Sequence, residues 1–126
     1  MSSPCTLLVV NPAAGAGRAG RVLSRVLEEL KPWGEFEIAV TRAGEDRPAE
    51  RIVRDAVAGG VTRIAVLGGD GTASQALNGL RQADGSIANV QLGLIPAGTG
   101  RDFARTIGIS RKPVDAARHL ARGATA

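Results

Sequence analysis

Apolar positions in this chain fall into two rhythms, and the way the rhythms alternate predicts its architecture. Aliphatic and β-branched residues crowd together at 6–10 (TLLVV), 61–67 (VTRIAVL) and 90–95 (VQLGLI), as expected of strands buried on both faces of a parallel sheet. The stretch EFEIAVT at 35–41 alternates instead, Glu35 and Glu37 with Phe36 and Ile38, which predicts a more exposed edge strand. Between the runs the period changes to that of a helix. Val22, Leu23, Val26, Leu27 and Leu30 share one face of a helix over 18–31, Arg21, Arg25, Glu28 and Glu29 take the other, and Lys31-Pro32 ends it. Trp33, just beyond, reads as packing. A second helix starts at Asp46 and Pro48, turns Ile52, Val53, Ala56 and Val57 inward, and stops at Gly59-Gly60. A third covers 72–81 and leads into a polar turn at 82–89. Beyond the last strand, 101–105 predicts one or two helical turns, and Pro113 opens a helix with Ala116, Ala117 and Leu120 inward and Gly123 as its stop. His119 on that helix reads as a surface residue, with no second histidine to share a metal.

The resulting order, βαβαβαβα with short connections, predicts an α/β fold built on a doubly wound, mostly parallel sheet. In such sheets ligands bind outside the carboxyl ends of the strands. Three of the four predicted strands end in loops of small or polar residues: NPAAGAG, GGDGT and PAGTG. The loops come from separated segments, yet the topology brings them to one sheet edge. In the middle one, Gly68, Gly69 and Gly71 bracket a single carboxylate, Asp70, and Thr72 opens a helix whose free N–H groups attract phosphate. An acid beside a phosphate is repelled unless a cation or a proton-transfer role accompanies it. The structural alternative is a tight turn with Asp70 as an ordinary N-cap. Asn11, Thr41, Thr72 and Thr99 are the polar groups available to the crevice, and Arg18 stands at the head of the first helix, where it meets a phosphate oxygen or solvent. A triphosphate carrying Mg²⁺ accounts for the acid, because that ion commonly uses one or two carboxylates together with phosphate oxygens.

Composition narrows the partners. The 126 residues carry a net charge of +4 but only 2% aromatics, and the arginines are scattered rather than gathered, which argues against nucleic acid. Cys5 is the single cysteine, so no internal disulfide forms. No apolar run approaches the ~20 residues of a membrane helix, and MSSPCTLLVV has no basic region ahead of its apolar stretch; the expectation is a soluble, cytoplasmic domain.

Two familiar nucleotide signatures fail on spacing. Gly15, Gly17 and Gly20 spell G-x-G-x-x-G, but four residues separate the first strand from Gly15, and the second strand ends Val40-Thr41-Arg42 with no acid for a ribose. No G-x-x-x-x-G-K-[ST] occurs. Asn11-Pro12 with Gly15, GGDGTASQALNGL at 68–80 and PAGTGRDFAR at 96–105 together resemble the catalytic domain of the diacylglycerol kinase family, which includes bacterial lipid kinases and sphingosine kinases. The similarity runs from Leu7 to the final helix.

That resemblance implies a Rossmann-like three-layer lobe, residues 1–126 forming the N-terminal ATP-binding half of a kinase that moves the γ-phosphate of ATP to a lipid hydroxyl. It implies ATP contacts from Asn11, Pro12, Ala13, Ala14 and Gly15, from Thr41, from Gly68, Gly69, Asp70, Gly71, Thr72, Ala73 and Ser74, and from Thr99, with Asp70 organising Mg²⁺ and phosphate or assisting the acceptor hydroxyl. Family members continue into a β-rich domain that binds the lipid and carries a glutamate resembling a general base, so these residues alone are expected to bind ATP or ADP weakly and to be inactive. Peripheral membrane contact and a homodimer are expectations for the complete enzyme. Gln75 and Arg101 stand where the family commonly has Glu and Asn. GGDGT also occurs in NAD kinases and phosphofructokinases, which leaves a NAD kinase-like lobe and a non-catalytic nucleotide-binding module as alternatives, while NPAAG and GTGRDFAR favour the lipid kinases.

Overall fold

A computed structural model describes residues 6–97 and Ala117. Its strands are β1 (Thr6–Val10), β2 (Glu37–Val40), β3 (Arg63–Gly68) and β4 (Gln91–Pro96), and its helices are α1 (Arg18–Glu29), α2 (Pro48–Ala58) and α3 (Asp70–Gly79). The strands form one parallel sheet in the order β2-β1-β3-β4. Consecutive strands are joined through helices, as parallel pairing requires. The predicted elements are all present within the described residues, with ends that move by a residue or two. The largest change is at the first helix, which stops at Glu29 and hands over to a 3₁₀ turn, Lys31–Trp33, because Pro32 cannot continue it.

Alternate residues of each central strand serve opposite layers. Leu8, Val10, Ala65, Leu67 and Ile95 face α1, packing with Ala19, Val26 and Leu30 and with the helical, fully buried Ala117. Leu7, Val9, Ile64, Val66 and Leu94 face α2 and α3, packing with Ala49, Val53, Ala73, Ala76 and Leu80. Trp33 joins the α1 layer and lies 5.0 Å under the Arg63 guanidinium. The sheet is therefore doubly wound, with helices on both faces.

β2 is the outer strand, as its sequence predicts, but the alternation of Glu with apolar residues does not survive. Ile38 pairs with Leu8 and Val40 with Val10, sharing the α1 side of the sheet, yet they are 46% and 50% exposed. Among the described residues no helix is long and apolar enough to cross a membrane. The expectations for 101–105, for the helix from Pro113 and for His119 lie outside the described residues, apart from the inward Ala117.

Candidate functional site

The order β2-β1-β3-β4 reverses direction between β1 and β3. From β1 the chain steps outward to β2, then crosses back to the other side of β1. At such a reversal the loops leaving two adjacent strands diverge to opposite layers and open a crevice at the carboxyl edge. The two loops that leave here are 11–17 and 68–72. They are tied together: the N–H of Asn11 donates to the carbonyl of Leu67 at 2.9 Å, and Asn11 Nδ2 donates to Thr72 Oγ1 at 3.0 Å. Thr72 is 6% exposed, so this bond is sheltered.

Loop 11–17 spends most of its backbone donors on itself. The N–H of Ala13 bonds to Asn11 Oδ1, and those of Ala14, Gly17, Arg18, Ala19 and Gly20 bond to carbonyls between Asn11 and Gly15. Two donors remain without a partner among the described residues, the N–H groups of Gly15 and Ala16. Gly15, Ala16 and Gly17 all have positive φ, of 65°, 58° and 89°. A β-carbon on Gly15 would also overlap the carbonyl oxygen of Ala97, just past β4. Gly20 lies in α1 with its α-carbon against Pro12, where a β-carbon would come 3.3 Å from the Pro12 carbonyl. All three glycines of the G-x-G-x-x-G spelling are thus accounted for by folding, as its spacing suggests.

The second loop differs. Gly69, extended at φ −96°, is the N-cap of α3 and Asp70 its first helical residue. The alternative of Asp70 as N-cap is therefore not what forms; the carboxylate sits one position inside, and no side chain caps the helix. The N–H groups of Asp70, Gly71 and Thr72 have no intrahelical partner, which is the ordinary state of a first turn, and they point along the positive end of the helix dipole. Gly68 is fixed by packing, since a β-carbon there would come within 2.8 Å of the Thr72 side chain. Gly71 is not. Its φ is not positive, and a β-carbon on it would meet nothing within 4 Å among the described residues.

Asp70 lines a small crevice with Val66, Gly68, Gly69, Ala73, Leu94, Ile95 and Pro96, beside the ends of β3 and β4. It makes no ion pair with the described residues. The β4 end is locked to β3 by a 2.8 Å bond from the Ala97 N–H to the Gly68 carbonyl. With the overlap that Gly15 avoids, Ala97 becomes the point where the first, third and fourth strand ends meet.

Other expected contacts separate by position. Thr41 is buried and donates its N–H to the Val10 carbonyl at 2.8 Å, extending the β1–β2 ladder to the same edge. Arg18 begins α1, half-buried, with no side-chain partner among the described residues. Ala13 and Ser74 are exposed, Pro12 is half-buried, and Ala14 packs on the α1 core layer. Thr99 and Arg101 lie outside the described residues. Gln75 does not turn to the crevice; its Oε1 accepts the N–H of Ala49 in α2 at 3.1 Å. Sequence reading passed over Ala16 and Ala97. The signal for Ala16 was its place between Gly15 and Gly17; nothing local marks Ala97.

No group of three or more His, Cys, Asp or Glu residues suited to a metal occurs among the described residues. Among the described residues that line the crevice, Asp70 carries the only carboxylate.

Residues 6–126 match the family model described as the diacylglycerol kinase catalytic domain. The chain is 36% identical over 109 residues to a diacylglycerol kinase of Mycobacterium tuberculosis, covering 86% of this chain and 33% of that protein. It is 41% identical over 83 residues to the "Probable lipid kinase YegS-like" of Xanthomonas euvesicatoria pv. vesicatoria, covering 65% of this chain and 26% of that one. A crystal structure of a diacylglycerol kinase from Bacillus anthracis str. Sterne superimposes with a TM-score of 0.79 at 32% identity, over 94% of this chain and 43% of that chain. The chain thus spans about a third or less of the length of these two sequence relatives.

Proposed function

The chain belongs to the diacylglycerol kinase catalytic-domain family, and from that premise we propose that residues 1–126 are the ATP-binding lobe of a two-domain lipid kinase. In the complete enzyme the γ-phosphate of ATP passes to a lipid hydroxyl. The observation that carries this reading is the pairing, across the β1/β3 reversal, of N–H groups at Gly15, Ala16 and the first turn of α3 that have no partner among the described residues, with none of those residues within 4 Å of a β-carbon placed on Gly71. Those donors suit a polyphosphate, and Gly71 lets it approach the main chain.

The donor set also fits Mg²⁺ in a restricted way. Asp70 would supply one carboxylate, with phosphate oxygens and water supplying the rest, as this ion is commonly held beside a nucleotide. When bound, the ion neutralises charge on the phosphates. The chain's own part is to orient: Asn11 fixes Thr72 and with it the first turn of α3, so that Asp70 and the three N–H groups keep one arrangement relative to loop 11–17. Phosphoryl transfer depends mainly on such positioning and electrostatics.

Acceptor binding and the removal of the hydroxyl proton belong, in this reading, to the β-rich second domain. Two measurements test it together. Thermal unfolding in saturating MgADP or MgATP gains about 2.7 kcal/mol of stability when ligand is at 100 times its Kd, and no shift at millimolar nucleotide contradicts the binding site. The same chain given MgATP and diacylglycerol micelles forms no phosphatidic acid above background; product formation contradicts its assignment as one lobe.

A further inference from the structure

α2 and α3 lie against each other on one face of the sheet, and their seam is unusually specific. Gly79 of α3 sits where a β-carbon would come 2.6 Å from the Glu50 carbonyl, and Arg54 Nη2 donates to the carbonyl of Asn78 at 3.1 Å. Gln75 makes the third link, its Oε1 accepting the Ala49 N–H. That last bond is the one with consequences for the site edge.

The start of α2 lacks the usual means of satisfying its donors. Pro48 at its first position has no N–H, Arg47 at the N-cap is left-handed (φ 44°), and no residue of the preceding loop supplies a side-chain cap. Ala49 is completely buried, so without Gln75 its N–H would be left unpaired away from water. An acceptor reaching over from α3, 26 residues later in sequence, does the work of a cap.

Residues 42–47, all exposed, join this helix start to Thr41 at the end of β2. The loop is held at one end by the ladder bond from Thr41 to Val10 and at the other by Ala49 on Gln75, with an exposed Glu45–Arg51 pair at 2.6 Å along the way. Gln75 also lies on the same helix as Asp70, five residues on. One side chain thus connects the helix that begins at Asp70 to the loop that begins at Thr41.

We propose that Gln75 is a positioning residue for nucleotide: by capping α2 it seats the segment 41–47 at the carboxyl edge relative to the first turn of α3. The inference rests on the nucleotide reading above. An amide and a carboxylate both provide the accepting oxygen, and the positive end of α2 favours the carboxylate, so Gln75→Glu keeps the link. Gln75→Met keeps the length and removes the acceptor.

The test compares wild type, Gln75→Met and Gln75→Glu by titration calorimetry with MgADP and by amide exchange. In Gln75→Met, exchange at Ala49 and across 42–47 accelerates at least tenfold while residues 92–95 of β4 are unchanged, and the Kd for MgADP rises at least fivefold. In Gln75→Glu both return to within twofold of wild type. If exchange accelerates in Gln75→Met but the Kd stays within twofold, Gln75 is structural only and the proposal is wrong. If exchange is unchanged, the cap itself is absent. If the wild type shows no heat with MgADP, the nucleotide reading falls first and this inference falls with it.

Discussion

The two glycine-bearing loops at the β1/β3 reversal look alike in sequence and are unlike in what constrains them. In 11–17, Gly15 and Gly17 hold left-handed backbone, and Gly15 leaves no room for a β-carbon beneath Ala97. In 68–72, Gly68 is pressed against Thr72, but Gly71 has no positive φ and no described residue within 4 Å of where a β-carbon would stand. A glycine in a helix is less favourable than alanine by up to about 1 kcal/mol, and nothing among the described residues demands one at 71. The first loop uses glycine to build; in the second, packing among the described residues accounts for Gly68 and not for Gly71.

The comparison breaks most sharply at Gly15. Gly15→Ala places a β-carbon on a left-handed residue and into the Ala97 carbonyl, so urea unfolding is expected to show a loss of about 3 kcal/mol, combining backbone strain with overpacking. A loss below 0.5 kcal/mol, on the order of an ordinary surface change, would show that the meeting of loop 11–17 with the β4 end is not a fixed contact. Next comes the bond between the loops. Thr72→Val preserves shape but removes the acceptor of Asn11 Nδ2, and the same assay is expected to report about 1–2 kcal/mol. Asn11→Leu combined with it should cost less than the sum of the two single changes, since both remove one interaction.

The smallest effect lies far from both loops. In the turn at 82–86, Ser86 donates to Asp84 Oδ1 through its hydroxyl at 2.6 Å and its N–H at 2.9 Å, and these bonds hold the Asp84 carboxyl below its ordinary range. A depressed carboxylate contributes stability above its unfolded pKa and loses it as pH falls through the folded one. Ser86→Ala should move the Asp84 titration, followed by NMR, back upward, and should leave nucleotide affinity untouched. A change in affinity would couple this turn to the site edge, which the fold gives no reason to expect.

Much of this was legible in the chain itself, and the limit is physical. Runs such as TLLVV and VTRIAVL announce strands buried on both faces, and their order with intervening helices predicts the doubly wound sheet. β2 was readable as an edge, yet not Ile38 and Val40 as exposed, because side-chain alternation says nothing of what covers each face. The glycines and polar residues at strand ends marked the candidate site, but which of these glycines the fold requires depends on what a β-carbon would strike. Likewise Gln75 reads as a neighbour of the GGDGT run, and only packing between α2 and α3 turns it to Ala49. Contacts made by residues distant in sequence leave no local mark.

The most direct test is calorimetric titration of MgADP into wild type and Gly71→Ala, with urea unfolding of both. The expected result is opposite signs: Gly71→Ala is as stable as wild type or up to about 1 kcal/mol more so, and its affinity for MgADP is at least tenfold weaker. Equal affinity in the two proteins would contradict the claim that the space above Gly71 holds a nucleotide.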